Sequence, residues 1–303
     1  MRQLNRRKLA KNSRALINFH LSHPDKLLYP GVNLTKLDLA NYYNTVANWI
    51  LPYILKRPLT LLRCPNGQKK NCFYQRHLTT ATQDLYAVTL PDKTDKSEPY
   101  LYIKDKSGLM ALIQLGVLEI HPWASQIDKI EKPDFITFDL DPGLQVEWKS
   151  VIETAFLVKD HLQKLNLKSF VKTTGSKGLH VVVPIKRLYS WDKIKVFSHT
   201  FVKYLSIQNP QLIVANMSKT KRRGKIFVDY LRNQRGASSI APYSTRIKEN
   251  ATVATPLAWE ELNARIKSDS FTVKNLPQRL AQLKHDPWTD FYQLKQKLSL
   301  PMV

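Results

Sequence analysis

The stretch Phe135-Ile136-Thr137-Phe138-Asp139-Leu140-Asp141, with Pro133 before it and Pro142 after it, decides how this chain is read. A short apolar run between two prolines predicts a buried strand over 135–140. Side chains two residues apart leave the same face of a strand, their Cα atoms roughly 6–7 Å apart. Asp139 and Asp141 therefore project together from the strand's end. Two carboxylates that close repel one another unless a cation sits between them, and hard oxygen donors favour Mg2+ or Mn2+. A strand that ends in an Asp-Pro turn, with both acids solvated, fits the same residues.

Residues 225–230 form a second predicted strand, whose apolar run Ile226-Phe227-Val228 ends in Asp229. Three carboxylates at strand ends can hold two divalent ions, the arrangement that phosphoryl transfer uses. Asp229 paired with a neighbouring arginine is the alternative. Between the two acidic strands lies Lys172-Thr173-Thr174-Gly175-Ser176-Lys177-Gly178-Leu179-His180, itself flanked by strands predicted at 169–173 and 180–184. Its glycines allow a tight turn with exposed N–H groups, and Thr174, Ser176, Lys177 and His180 add donors suited to a triphosphate. The glycine spacing is not that of a P-loop. An ordinary Gly-Ser hairpin has the same composition.

Elsewhere Thr35 is placed to N-cap a helix over 36–51, with Asp38 in its first turn and Pro52 as its stop. Strands are predicted at 59–63, 101–103 and 118–120, with an exposed hairpin or loop between the first two. Helices are predicted at 107–118 (ending near Gly116), 147–165, 191–205 and 256–266. Strands and helices mixed in this way indicate an α+β fold with mixed sheets. Residues 1–22 carry six basic and no acidic residues, and read as a basic arm ahead of one domain over 23–303.

The chain has 47 Lys and Arg against 24 Asp and Glu, a formal net charge of +23. Such an excess strains a compact fold unless a polyanion is normally near, and nucleic acid is the first candidate. No apolar run is long enough to span a membrane, and no h-region follows the basic start. Cys64 and Cys72 are the only cysteines. A disulfide is not expected from two thiols, nor is a zinc site, and a reducing cytoplasm is the default compartment.

At this point the residues resemble a known family. Asp139-Leu140-Asp141-Pro142, Thr174 through His180, and Phe227-Val228-Asp229-Tyr230 are similar to the polymerase domain of bacterial ligase D, within the archaeo-eukaryotic primase superfamily. The likeness extends from Asp25-Lys26-Leu27-Leu28-Tyr29-Pro30 through Glu119-Ile120-His121-Pro122-Trp123 to Ala241-Pro242-Tyr243-Ser244-Thr245-Arg246. It implies a primase-like α+β core and a template-dependent polymerase that adds NTPs or dNTPs at gaps and broken DNA ends in non-homologous end joining. Ribonucleotides and Mn2+ are the implied preference. Such an enzyme is nucleoid-associated, with the end-binding protein Ku and a DNA ligase as possible partners.

The resemblance also implies roles. Asp139 and Asp141 would bind two Mn2+ or Mg2+ ions, and Asp229 would complete the catalytic metal site. Thr174, Lys177, His180 and Arg246 would hold the triphosphate, with Ser176 beside them. His121 would approach the incoming nucleotide or primer end. Phe73 and Tyr74 would stack on bases, with Arg76 where a lysine is common. Lys26 and Lys36 would cradle a 5′-phosphate, and Arg222, in the basic run 219–224, would meet the primer strand.

Each residue keeps a plainer alternative. His121 before Pro122-Trp123 suits a structural histidine, and one of the alternating pair Phe73 and Tyr74 suits the core. Lys26 and Lys36 suit solvated charges, and Arg246 suits a cap or an ion pair. At the level of function, a non-catalytic DNA-end-bridging module, a primer-independent primase and a metal-dependent nuclease are the rivals. A nuclease leaves residues 174–180 unexplained.

Overall fold

The computed structural model describes residues 21–79, 83–91 and 97–298, and the basic run at 1–20 lies outside them. A six-stranded sheet organises the site. Its strands are β8 (Phe135–Pro142), β9 (Phe170–Thr173), β10 (Leu179–Pro184), β11 (Ile213–Val214), β12 (Ile226–Asp229) and β13 (Pro256–Leu257). They run in the order β11-β12-β8-β10-β9-β13, all antiparallel except the β11–β12 pair.

The period of two along β8 divides the molecule. Ile136, Phe138 and Leu140 face a core shared with α4 (Trp148–Lys164) and α5 (Trp191–Gln208). Those helices present Val151, Ala155, Val158, Ile194, Phe201 and Leu205 at helical spacing. Phe135 on the other face joins a second core with Val182, Phe170, Tyr53, Trp288 and Phe291. That core also takes in a three-stranded sheet, β4-β3-β7, formed by Leu59–Arg63 (β3), Phe73–Gln75 (β4) and Val117–Pro122 (β7). Thr137, Asp139 and Asp141 thus lie on the face turned toward this second sheet.

Helices α1 (Lys36–Thr45) and α2 (Ala47–Ile54) replace the single helix expected over 36–51. The break falls at Val46, and Pro52 lies inside α2 rather than ending it. The proline ring deprives the exposed Asn48 carbonyl of a donor, a loss that water can make good. Thr35 caps α1 as expected, accepting from the Asp38 amide at 3.1 Å while the Asp38 carboxylate accepts from the Thr35 amide at 2.8 Å. Thr35→Ala is expected to lower stability by about 1 kcal/mol in urea denaturation.

The helix α3 (Lys106–Gln114), the hairpin of β5 (Tyr86–Pro91) and β6 (Ser97–Tyr102), and β3, β7, β8, β9, β10 and β12 fall where expected, whereas the short strands β1 (Leu27–Tyr29), β2 (Leu34–Thr35), β4 and β11 carry no predicted counterpart. The helix expected at 256–266 does not form. Residues 256–257 pair with β9 as β13, and only a 3-10 turn follows at Trp259–Glu261. Pairing along the sheet edge overrides a helical pattern that is weak without caps.

The cysteine reading is also corrected, for Cys64 and Cys72 are joined in a disulfide. The antiparallel register Arg63↔Phe73 sets the next residues out, 64 and 72, opposite one another. A count of cysteines carries no information about that register. Among the described residues no helix is long and apolar enough to cross a membrane.

Candidate active site

The sheet register assembles a transverse row of charged side chains. Asp139 lies directly opposite Asp229 on one side and His180 on the other, and His180 lies opposite Lys172. The row Asp229-Asp139-His180-Lys172 thus crosses four strands on one face. Above it is a cleft of about 400 Å³ between the two sheets. Asp139, Asp141, Thr174, Ser176, Lys177 and His180 line it from the large sheet and its connecting loop. Tyr74, Arg76 and His121 line it from the small sheet, and Arg246 from a loop between them.

Each acid has a cationic neighbour. His180 Nε2 is 3.3 Å from Asp139 Oδ1, and Arg222 Nη1 is 2.7 Å from Asp141 Oδ2. Arg232 Nε bridges Asp139 and Asp229 at 3.5 and 3.4 Å. Burial alone would raise the Asp139 carboxyl, but His180, Arg232 and Lys172 hold it well below the usual carboxylate range. Burial, then the Asp139 charge, raises Asp141 in spite of Arg222. Burial likewise raises Asp229 against the pull of Arg232. Burial pushes Lys172 down to about 7, with Arg246 adding to it, and takes His180 down to about 4 with Lys172 next in effect.

Three hard carboxylates around positions already held by arginine cations are a donor set suited to divalent ions. Among the described residues no three His, Cys, Asp or Glu side chains enclose a metal by themselves. Such ions commonly take one or two carboxylates and complete their shell with substrate phosphates. A cleft walled by Lys177, His180 and Arg246 is suited to supply those phosphates.

The Gly-rich loop is a closed hairpin. The Thr174 hydroxyl donates to the Gly178 carbonyl at 3.0 Å and accepts from the Gly178 amide at 3.2 Å. It shapes the loop from within, while Lys177 stays exposed at its tip. Gly175 adopts φ +66°, where a side chain is strained, and its amide is taken by the Ser268 carbonyl at 3.0 Å. A Cβ on Gly178 would lie 2.0 Å from the Leu140 carbonyl oxygen, so only glycine lets β10 approach β8 beside Asp139.

Opposite, Glu119 organises the wall. Its carboxylate accepts from Arg246 Nε at 3.1 Å and from the Ile247 amide at 2.7 Å, and lies 2.9 Å from His121 Nε2. Burial opposes ionisation of Glu119, but His121 and Arg246 bring its carboxyl below the ordinary value. His121 is pushed down by burial. Sequence reasoning assigned no role to Glu119, although its place two residues before His121 on one strand was the available signal. Arg232 was also missed. Leu231 donates to Asp229 Oδ1 at 2.7 Å and Asn233 forms two 2.8 Å hydrogen bonds with the Thr137 backbone, which fixes Arg232 between them.

Of the other candidates Tyr74 lines the cleft, while Phe73, Arg222, Lys26 and Lys36 lie outside its lining. Phe73 and Tyr74 are 47% and 65% exposed, so neither belongs to the core. Arg63 stacks over Phe73 at 5.3 Å, and the Tyr74 ring stands edge-on to His121 at 6.4 Å. Arg222 closes on Asp141 from a 3-10 turn at Lys219–Arg222. Lys26 and Lys36 form a separate basic spot, joined by the Lys36 amide donating to the Lys26 carbonyl at 2.8 Å. Lys36 Nζ donates to the Ser22 carbonyl and Gln114 Oε1, and Lys26 Nζ to Asn66 Oδ1 at 3.1 Å. Burial and then Lys26 lower the Lys36 ammonium.

An α+β core thus aligns carboxylates on one sheet face, opposite a basic wall and a second small sheet. Comparisons with known proteins give this arrangement its family. The chain belongs to the family of the LigD primase-polymerase domain, whose model matches residues 35–288. Over 289 residues it is 35% identical to the multifunctional non-homologous end joining protein LigD of Pseudomonas aeruginosa, covering 95% of this chain and 34% of that protein. It is 28% identical over 270 residues to the bifunctional LigD of Bacillus subtilis, covering 88% of this chain and 43% of that protein. The polymerase domain of Mycobacterium tuberculosis ligase D, solved in complex with DNA, superposes with a TM-score of 0.84 at 30% identity. That match covers 92% of this chain and 99% of the solved domain. The chain spans about a third of the length of the Pseudomonas relative.

Proposed function

We propose that this chain is a DNA-repair polymerase that extends primer 3′ ends at gaps and double-strand breaks, adding NTPs or dNTPs opposite a template. The observation that carries the reading is the row Asp229-Asp139-His180 beneath a cleft walled by Lys177 and Arg246. Divalent ions, Mn2+ or Mg2+, held by Asp139, Asp141 and Asp229 would activate the primer hydroxyl and clamp the triphosphate oxygens. Lys177, His180 and Arg246 neutralise charge on the phosphates. Thr174 and Ser176 hold the loop that presents Lys177. Phe73 and Tyr74, both exposed, offer π faces to bases, with Arg76 beside them. His121, steadied by Glu119, faces the incoming nucleotide or primer end. Arg222 leaves Asp141 for the primer strand when the site is loaded.

One catalytic domain over 23–303, with the basic arm 1–22 before it, carries this chemistry in the cytoplasm at the nucleoid. The preference is for ribonucleotides and Mn2+, and the partners are Ku and a DNA ligase. The test is incubation with a gapped, 5′-phosphorylated duplex, Mn2+ and labelled NTPs or dNTPs. Template-matched extension supports the reading, and the NTP/dNTP ratio reports sugar choice. Tight DNA binding with no extension under either metal leaves an end-bridging module, in which Arg222 and Arg232 are permanent partners of structural acids.

Lys26 and Lys36 are assigned to the 5′-phosphate across the gap. Lys26→Ala is expected to weaken binding to 5′-phosphorylated gapped DNA by about tenfold, as a charged hydrogen bond is lost. The same DNA with a 5′-hydroxyl should lose much less. Equal losses in a fluorescence titration of the two substrates would remove the pocket.

A further inference from the structure

Lys172 is 2% exposed, and its Nζ has no hydrogen-bond partner among the described residues. Around it lie Tyr53, Phe135, Trp288 and Phe291, lining a cavity of about 20 Å³, the scale of a single water. Thr137 and Ser239 also line the cavity and the Asp139 charge acts on the amine, but none of them accepts a hydrogen bond from it. An apolar side chain of similar length would fill the place without desolvating a charge. Its neighbour in the row, His180, is 3% exposed and has a matching deficit, since Nδ1 is also buried without a partner among the described residues. His180 Nε2 faces the Asp139 carboxylate and so carries the ring proton, which leaves Nδ1 as an acceptor. A buried donor without an acceptor therefore stands beside a buried acceptor without a donor. Such orphans are rare in folded proteins.

We propose that Lys172 is a positioning residue, whose amino group donates to His180 Nδ1 and so holds the imidazole with Nε2–H turned toward Asp139 and the triphosphate. Lys172 stands opposite His180 in the sheet register, and its flexible four-carbon stem lies next to a small cavity that lets the amine turn toward the ring. The logic is that of metal sites, where a partner on one ring nitrogen sets the tautomer of the other. Lys172 itself touches neither nucleotide nor DNA.

The test compares wild type, Lys172→Met and Lys172→Arg by urea denaturation, by NMR of 15N-histidine-labelled protein and by extension kinetics. Lys172→Met is expected to fold at least as stably as wild type, to move the His180 15Nδ1 resonance toward that of an acceptor without a hydrogen bond, and to raise the nucleotide KM about tenfold with a smaller change in kcat. Lys172→Arg, which keeps a donor, restores the Nδ1 resonance and part of the KM. A His180 signal in Lys172→Met identical to that of wild type overturns the proposal, as does an unchanged KM. The kinetic arm rests on the polymerase reading and the NMR arm does not. If wild type extends no primer, that reading fails and the His180 Nδ1 resonance alone decides the role of Lys172.

Discussion

Asp139→Ala is expected to reduce primer extension by roughly a thousandfold or more, while DNA binding and the far-UV circular dichroism spectrum stay near wild type. Asp139 sits at the centre of the row, opposite both Asp229 and His180, and shares Arg232 with Asp229. It is held ionised despite its burial. A divalent ion contributes several kcal/mol at a phosphoryl centre, and each 1.4 kcal/mol is worth about a factor of ten in rate. Asp139→Asn separates charge from shape, since it keeps the volume and the strand while removing the anion. It should be nearly as inactive as the alanine variant. Single-turnover extension assays with Mn2+ read both. Asp139→Asn with more than about a tenth of wild-type activity would sink the assignment.

The largest expected effect on stability lies elsewhere, at Arg57 and Asp134. Arg57 is fully buried and pairs with Asp134 in a bidentate fork at 2.8 and 2.6 Å. Its guanidinium also donates to the Tyr292 hydroxyl at 3.3 Å and stacks over Phe135 at 5.2 Å. Arg57 precedes β3 and Asp134 precedes β8, so the pair ties the starts of strands from the two sheets together. Asp134→Ala leaves a buried guanidinium without its anion and should cost about 3–5 kcal/mol in urea denaturation. Removing both charges, as in Arg57→Met with Asp134→Leu, should recover most of that loss, because neither ion is then stranded. A cost below about 1 kcal/mol for the single variant would show that water reaches the pair and that it pins nothing.

Much of the site is legible in the order of the residues, because the physics involved is local. Alternation along Phe135–Asp141 places Asp139 and Asp141 on one face whatever the rest of the chain does. Apolar periodicity likewise locates α4 and α5, and Thr35 with Asp38 announces the start of α1. The resemblance to ligase D polymerase domains then supplies candidates such as Arg246 and Tyr74, which do line the cleft.

What lies beyond the sequence is register between distant strands. Nothing local to Cys64 or Cys72 says that 63 and 73 pair, and so the disulfide was not expected. Glu119 and Arg246 are 127 residues apart, and only the packing of β7 against a distant loop makes one the partner of the other. Arg57 and Asp134 meet for the same reason. The segment 256–266 was misread because a free sheet edge beside β9 outcompetes a weak helix.

The sequence by itself determined the chemistry available: three strand-borne carboxylates, a Gly-rich basic loop and a large positive charge. Only the tertiary structure decided which charges meet, with Asp139 between Asp229 and His180 and with Lys172 and Arg232 flanking them. Side-chain periodicity is set by bonds along the chain, whereas cross-strand pairing is set by how two cores fill on either face of one sheet.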